Sequence, residues 1–155
     1  MTFNSWHSRH DETAIRVPEI GLELRVRLPM EASGGTLTVI DTVNEPGFGP
    51  PLHRHAETEI FRVLTGRYLF EVDGRRFFAE TGDVISVPGG AAHAFVNVSD
   101  APARQTILIL PGLDAVAFFT GLGAIMKGAI PNREALNRFG QHWGVEFLGP
   151  PLRNE

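Results

Sequence analysis

The chain has no cysteine among its 155 residues. That absence excludes disulfides, thiolate nucleophiles, iron–sulfur clusters and cysteine-based zinc sites, so any bound metal must be held by His, Asp or Glu. The chain also lacks an excess of positive charge, because 14 Lys and Arg stand against 18 Asp and Glu, for a net charge of −4. This mild acidity argues against binding to nucleic acid or to an anionic membrane.

No apolar run in the sequence is long enough to cross a membrane. The longest apolar-leaning stretch, residues 115–126, is shorter than the roughly 20 residues that a spanning helix needs, and glycines interrupt it. Residues 1–12 are polar and lack the apolar region of a secretory signal, so we expect a flexible N-terminal segment. We therefore expect a cytoplasmic protein.

The first two thirds of the chain have the pattern of short β-strands. Between residues 14 and 111 apolar and polar residues mostly alternate, as they do in 23–28, which is typical of a strand with one face in water. The 17 glycines and 11 prolines separate short apolar runs from one another. Regular short strands with such turns predict a sandwich or barrel, which we assign to residues 13–111.

After this β-domain the apolar period changes to that of a helix. Residues 115–126 place apolar side chains three and four positions apart, behind Asp114 at the N-cap. A second helix is expected at about 132–141, and Gly149 to Pro151 are expected to end the ordered structure. The sequence therefore predicts that 112–155 form a short helical appendix packed on the barrel.

One hairpin has a register that can be derived from the sequence. An Asp73-Gly74 pair favours a two-residue turn of type I′. Counting outward from this turn places two pairs of opposite charge on one face of the hairpin, Glu71 with Arg76 and Arg67 with Glu80. A shift by one residue would break both pairs, so the register is well specified.

Two of the six histidines have a spacing that suits metal binding. His53 and His55 are two residues apart, so on a strand they point to the same face with Cα atoms about 7 Å apart. Glu59 follows after a short turn, and an antiparallel return would bring it beside them. This spacing alone does not distinguish a metal site from an exposed pair. Three other histidines are expected at the surface, namely His7, His10 and His142.

The wider pattern around these histidines is much more specific. It consists of two motifs, Gly47-x5-His53-x-His55-x3-Glu59-x6-Gly66 and Gly82-x5-Pro88-x-Gly90-x2-His93-x3-Asn97. This pattern resembles the two signature motifs of the cupin family, with every defining residue present. The 15 residues between the motifs, 67–81, fit the tight hairpin derived above.

The resemblance implies an all-β fold, the double-stranded β-helix or jelly-roll cupin barrel of two antiparallel sheets. It also implies that one divalent metal is bound inside the barrel by His53, His55, Glu59 and His93. Three neutral imidazoles and one carboxylate are suitable ligands for iron, manganese, nickel, cobalt or zinc, and the sequence does not choose among these metals.

Further roles in the barrel follow from the same resemblance and from strand alternation. We expect Glu59 to be the catalytic residue, as a ligand that can also accept a proton. Asn97 is expected to fix a loop by hydrogen bonds. Four aromatic residues are candidates for the wall of a substrate pocket, with core packing as the alternative for each: Phe61, Tyr68, Phe70 and Phe95.

The C-terminal segment is similar to the tails of small quercetin-dioxygenase-like monocupins. The similarity lies in Pro111-Gly112, in the helix around Phe118 and Phe119, and in residues 143–151. We expect this aromatic helix to shape the mouth of the cavity. The resemblance implies a dioxygenase that acts on a small aromatic or enol substrate and forms a homodimer, with strands around 22–28 as candidate edges. A metal-dependent isomerase or lyase, and a small-molecule-binding cupin without activity, remain alternatives.

Overall fold

The computed structural model describes residues 2–154, which form two antiparallel sheets and two α-helices. The strands are β1 (Ile15–Val17), β2 (Leu22–Leu28), β3 (Thr38–Asn44), β4 (Pro51–His55), β5 (Thr58–Thr65), β6 (Arg67–Val72), β7 (Arg75–Glu80), β8 (Val84–Val87), β9 (His93–Asn97), β10 (Ala103–Leu110) and β11 (Val145–Pro151). The helices are α1 (Ala115–Met126) and α2 (Arg133–Gly140), and two short 3₁₀ turns cover Pro18–Ile20 and Met30–Ser33.

Six strands form one sheet in the order β1-β2-β3-β10-β5-β8, and five form the other in the order β11-β4-β9-β6-β7. Neighbours in each sheet run antiparallel, and consecutive strands β3, β4 and β5 change from one sheet to the other and back. Two facing antiparallel sheets joined by such crossings are a jelly roll. The all-β fold that the sequence predicts is confirmed.

The hairpin formed by β6 and β7 has the predicted register. Glu71 lies opposite Arg76 with 2.8 Å between Oε1 and Nε, and Arg67 lies opposite Glu80 with 2.6 Å between the same atom types. The turn residues Asp73 and Gly74 have φ values of 48° and 81°, which are the positive angles that a type I′ turn requires. Local turn chemistry and charge pairing therefore determine this hairpin.

The core lies between the two sheets and follows the alternation of their strands. Along β3 and β10 every second residue is buried, so their inner faces point into the barrel and their outer faces lie toward solvent. The largest fully buried side chains include Phe61, Tyr68 and Phe70. These inner faces form the wall against which the functional residues are placed.

Both predicted helices are present, and Asp114 caps the first as expected. The Asp114 carboxylate accepts a hydrogen bond of 3.1 Å from the backbone N–H of Ala117, and Asn132 caps α2 in the same way at 2.9 Å to Ala135. Within residues 2–154, no helix is long and apolar enough to cross a membrane.

The prediction that order ends at Gly149 to Pro151 is wrong, because residues 145–151 form β11 at the edge of the second sheet. Prolines cannot donate to a ladder, but an edge strand tolerates them. The outer edge of β11 is completed by Asn137 of α2, which accepts from the Phe147 N–H at 2.7 Å and donates to the Phe147 carbonyl at 3.1 Å. The C-terminal appendix is therefore two helices followed by a strand.

The C-terminal segment joins the edges of the two sheets. Leu122 and Met126 of α1 pack in one buried cluster with Val17 of β1 and Phe147 of β11. Gly140 ends α2 against β11, where a Cβ atom would lie 2.2 Å from the Val145 carbonyl oxygen. The helices thus cover the side of the barrel where β1 and β11 lie, each of which is the edge strand of its sheet.

The N-terminal residues run along the outside of the first sheet without regular secondary structure. Trp6 donates from Nε1 to the Arg27 carbonyl at 3.0 Å, and the Asn4 N–H donates to the Ala32 carbonyl at 2.8 Å. The flexibility expected for residues 1–12 stays a prediction, and Met1 lies outside the described residues. β1 pairs with Leu22–Leu24, the first part of the strand at 22–28 that is a candidate dimer edge. The homodimer stays a prediction.

Candidate metal centre

Three strands bring the four predicted ligands together inside the barrel. His53 and His55 project from β4, Glu59 from β5 and His93 from β9, and one donor atom of each lies within 4.8 Å of the others. His53 is directly opposite His93 in the β4–β9 pair, and their ring centroids are 4.3 Å apart. The turn between β4 and β5 returns Glu59 to the histidines, with 2.7 Å between its Oε1 and His55 Nε2.

The backbone orients all three imidazole rings in the same way. Nδ1 of His53, His55 and His93 lies 2.7, 3.0 and 2.8 Å from the backbone carbonyls of Pro51, Glu57 and Ala91, respectively. A carbonyl can only accept, so each Nδ1 carries the hydrogen and each Nε2 is directed into the barrel. Hydrogen bonds of this kind orient and hold the histidine ligands of metal sites.

The site favours an ionised Glu59 beside a neutral His53, and it favours the protonated form of His55. Burial opposes ionisation of Glu59, but the hydrogen bond from His55 and the nearby His93 hold the pKa of the carboxyl well below its usual range. Burial, and then the neighbouring His93, lower the pKa of His53 to about 3, so this ring is neutral at physiological pH. Burial lowers the pKa of His55, but the contact with Glu59 outweighs burial and raises it.

These residues fit a divalent metal ion. Three nitrogen donors and one carboxylate give a donor set of net charge −1, which suits iron, manganese, nickel, cobalt and zinc. His93 Nε2 is buried and has no hydrogen-bond partner among residues 2–154, which is costly for a polar atom unless a ligand meets it. The donor chemistry and this unpartnered nitrogen both support a metal at this position.

Residues 42–109 match the family model described as "Cupin domain". This segment of the chain is therefore similar to a cupin domain. The matched segment runs from the end of β3 through most of β10 and includes all four predicted donors.

Relatives and solved structures extend this assignment. Over 64 residues the chain is 45% identical to the probable oxidoreductase patJ of Aspergillus clavatus, a stretch that covers 39% of this chain and 20% of that protein. This chain therefore matches about a fifth of that relative's length. KdgF from Halomonas sp. is similar in structure with a TM-score of 0.64, 19% identity and coverage of 73% of this chain and 98% of that one.

A predicted oxalate decarboxylase from Thermotoga maritima also superposes with a TM-score of 0.64, at 23% identity, over 68% of this chain and 99% of that one. At these identities the two structural likenesses show a shared fold. The jelly-roll cupin barrel is therefore supported by its sequence motifs, its strand topology and its structural neighbours.

A cavity of about 120 Å³ opens beside the candidate metal centre. His53, His55 and Glu59 lie on its wall. Most of the remaining wall is apolar and is supplied by both sheets and the C-terminal segment: Ile20, Leu22, Ile40, Phe95, Ile107, Ile109, Leu113, Phe118, Phe119, Leu122, Met126, Trp143, Val145 and Phe147. Three of the four donors thus face a mainly apolar chamber.

The structure places the four aromatic pocket candidates in two positions. Phe95 lies on the cavity wall. Phe61, Tyr68 and Phe70 are fully buried behind it, and their ring centroids lie 5.4 to 5.6 Å from that of Phe95. These three residues pack the core that supports the wall, and the Tyr68 hydroxyl donates to Asn44 Oδ1 at 2.8 Å.

Part of the cavity wall was missed by sequence reasoning. Val145 and Phe147 of β11 lie opposite His55 and His53, and the Phe147 ring is centred 6.3 Å from the His53 ring. The alternation of Val145 and Phe147 was a usable signal for a strand. Phe118 of α1 also lies on the wall, in line with the expectation that the aromatic helix shapes the mouth.

Asn97 closes the second motif and holds the loop after β9. Its Nδ2 donates to the carbonyls of Asn44 and Ala101 at 3.0 and 2.8 Å, and its Oδ1 accepts from both the backbone and the hydroxyl of Ser99. The predicted structural role of Asn97 is confirmed.

Proposed function

We propose that this cupin is a metal-dependent dioxygenase that acts on a small, mainly apolar molecule with an aromatic or enol group. The observation that carries the proposal is the position of the donors. His53, His55 and Glu59 face directly into an apolar chamber, so a substrate in that chamber lies against the metal-binding side chains. A built pocket with a few convergent polar groups is the usual form of a small-molecule site.

The wall chemistry favours an aromatic substrate over a sugar. A sugar brings many hydroxyl groups, and each one buried without a partner costs free energy. Apart from the donors, the polar side chains on the wall are Thr42, Asn44, Glu57 and the indole of Trp143. Flat apolar rings would instead pack against Phe95, Phe118 and the aliphatic residues.

His53, His55, Glu59 and His93 would hold the metal, which when bound supplies a Lewis acid and open positions for an enol oxygen and for dioxygen. Glu59 is ionised at neutral pH, because its neighbours keep the pKa of its carboxyl low. Its Oε1 can therefore accept the proton that an enol loses. The apolar wall excludes water from the reacting groups and strengthens electrostatic interactions there.

An oxidative reaction agrees with the name of one relative. The protein patJ, which shares 45% identity over 64 residues, is described as a probable oxidoreductase. That match covers a fifth of patJ, so it supports only the reaction class. The proposed substrate class is based on the chemistry of the cavity wall.

The proposal is tested with protein purified without chelator or added metal. Elemental analysis should find one redox-active divalent metal per chain, and an oxygen electrode should record uptake with a panel of flavonols and related enols. His55→Ala should abolish uptake, whereas the exposed control His142→Ala should retain it. Metal-loaded protein that consumes no oxygen across the panel would overturn the proposal. Turnover without oxygen, or with zinc, would identify an isomerase or lyase, and binding without turnover a binding protein.

A further inference from the structure

The cavity has a second polar region, away from the metal donors. Thr42 on β3 points into the barrel with 3% of its surface exposed, and it lies on the cavity wall. Its Oγ1 has no hydrogen-bond partner within the described chain. Buried hydroxyl groups are nearly always hydrogen-bonded, so an unpartnered one that faces a cavity indicates a missing partner.

Two further polar side chains, those of Asn44 and Gln105, belong to residues next to Thr42 in the first sheet. Asn44, the next inward residue of β3, also lines the cavity, and its Oδ1 is already used by the Tyr68 hydroxyl. Gln105 lies opposite Thr42 in the β3–β10 pair and is fully buried. The Gln105 carboxamide lies near the Tyr68 hydroxyl but makes no hydrogen bond of good geometry. We call Thr42 and Asn44, which line the cavity, and Gln105, which is buried beside them, the polar end of the cavity.

Strand register separates the polar end from the metal donors. On β10, Ile109 lies opposite Glu59, and Gln105 lies opposite Thr42. The step of four residues from Gln105 to Ile109 corresponds to roughly 13 Å along the strand at 3.2–3.4 Å per residue. The intervening level consists of Ile107 and Ile40, which are apolar and line the cavity. The chamber therefore has metal donors at one level, apolar walls between, and an unpartnered hydroxyl at the other.

We propose that Thr42 is a specificity-determining residue whose hydroxyl binds a polar group at the far end of the substrate. The ligand class is an extended, mainly apolar molecule that carries a metal-binding enol oxygen at one end. At its other end it carries a hydroxyl or carbonyl that pairs with Thr42. This inference rests on the proposed function, since it assumes that the enol lies at the donors.

The test is a binding experiment with two probes and three variants. The probes are an unsubstituted flavonol and the same flavonol with a para-hydroxyl on its pendant phenyl ring. Each is titrated without oxygen into metal-loaded protein, and affinity is read by calorimetry, so turnover plays no part. The variants are Thr42→Val, which keeps the shape of the side chain, Thr42→Ser, which keeps its hydroxyl, and Thr106→Val on the outer face of β10 as a control.

The native protein should bind the hydroxylated probe about threefold to tenfold more tightly than the bare one, as expected for one added hydrogen bond. Thr42→Val should lose this preference, while Thr42→Ser and Thr106→Val should keep it. The melting temperature of each variant shows that the protein is folded.

Equal binding of both probes by the native protein would overturn the inference and would mean that water alone satisfies the Thr42 hydroxyl. Binding of neither probe, or a preference that survives in Thr42→Val, would overturn it as well. The proposed function is judged separately by oxygen uptake across the enol panel. A protein that turns over enols without distinguishing the two probes therefore fails only the inference on Thr42.

Discussion

Asn137 connects helix α2 to the metal centre through β11, and this connection gives a quantitative prediction. Its side chain makes two hydrogen bonds to the backbone of Phe147, at 2.7 and 3.1 Å, and Phe147 lies opposite His53. Asn137→Ala removes both bonds, which are worth about 1 kcal/mol each. Alanine is a better helix former than asparagine by about 0.5 kcal/mol, so the net loss in the free energy of unfolding is about 1.5 kcal/mol. For a chain of this size the melting temperature should fall by about 3–6 °C.

The matched control is Asn132→Ala in the same helix. Asn132 makes one capping bond, to the Ala135 N–H at 2.9 Å, and has no hydrogen bond to β11, so its replacement should cost about 1 kcal/mol. Differential scanning calorimetry measures stability, and competition with a chromogenic chelator measures metal affinity. We expect Asn137→Ala to weaken metal binding severalfold and Asn132→Ala to leave it unchanged. Equal metal affinity in the two variants would refute the reasoning that α2 supports the donor strand β4 through β11.

Other consequences of the structure can be measured directly. His53→Ala should reduce bound metal, determined by elemental analysis, from about one per chain to nearly none, whereas His142→Ala should bind as the native protein does. A free metal concentration of 100 times Kd should stabilise the native protein by about 2.7 kcal/mol, which raises its melting temperature by about 5–11 °C; His53→Ala should show no such shift. Metal affinity should fall as the pH drops, because the raised pKa of His55 keeps a proton that the metal must displace, while His53 stays neutral down to about pH 3. Metal titrations between about pH 5.5 and 8 test whether the affinity falls as the pH drops, and an affinity independent of pH would contradict the prediction.

The ligand set and the central hairpin could be predicted because their information is local. The spacing of His53, His55 and Glu59 corresponds in the structure to a strand, a tight turn and a returning strand. His93 belongs to the second motif. The hairpin register follows from Asp73-Gly74 and from two charge pairs that any shift would break.

The remaining wall of the site depends on contacts between distant parts of the chain. Two prolines and a glycine weaken the strand pattern of β11, and its pairing partner β4 cannot be read from nearby residues. Alternation shows that Phe61, Phe70 and Phe95 all point inward, but it does not show which of them reaches open space. Cavity depth is set by how the two sheets and α1 pack, which is why Phe95 alone of the four aromatic candidates lines the chamber.

The pairing of β11 with β4 also affects how the protein is made. Arg54 and Glu146 form an ion pair at 2.9 Å across these strands, although they are 92 residues apart in the chain. Contacts between such distant residues form late and slow folding. During synthesis the strand that carries His53 and His55 therefore gains its second neighbouring strand only after residues near 145 have left the ribosome.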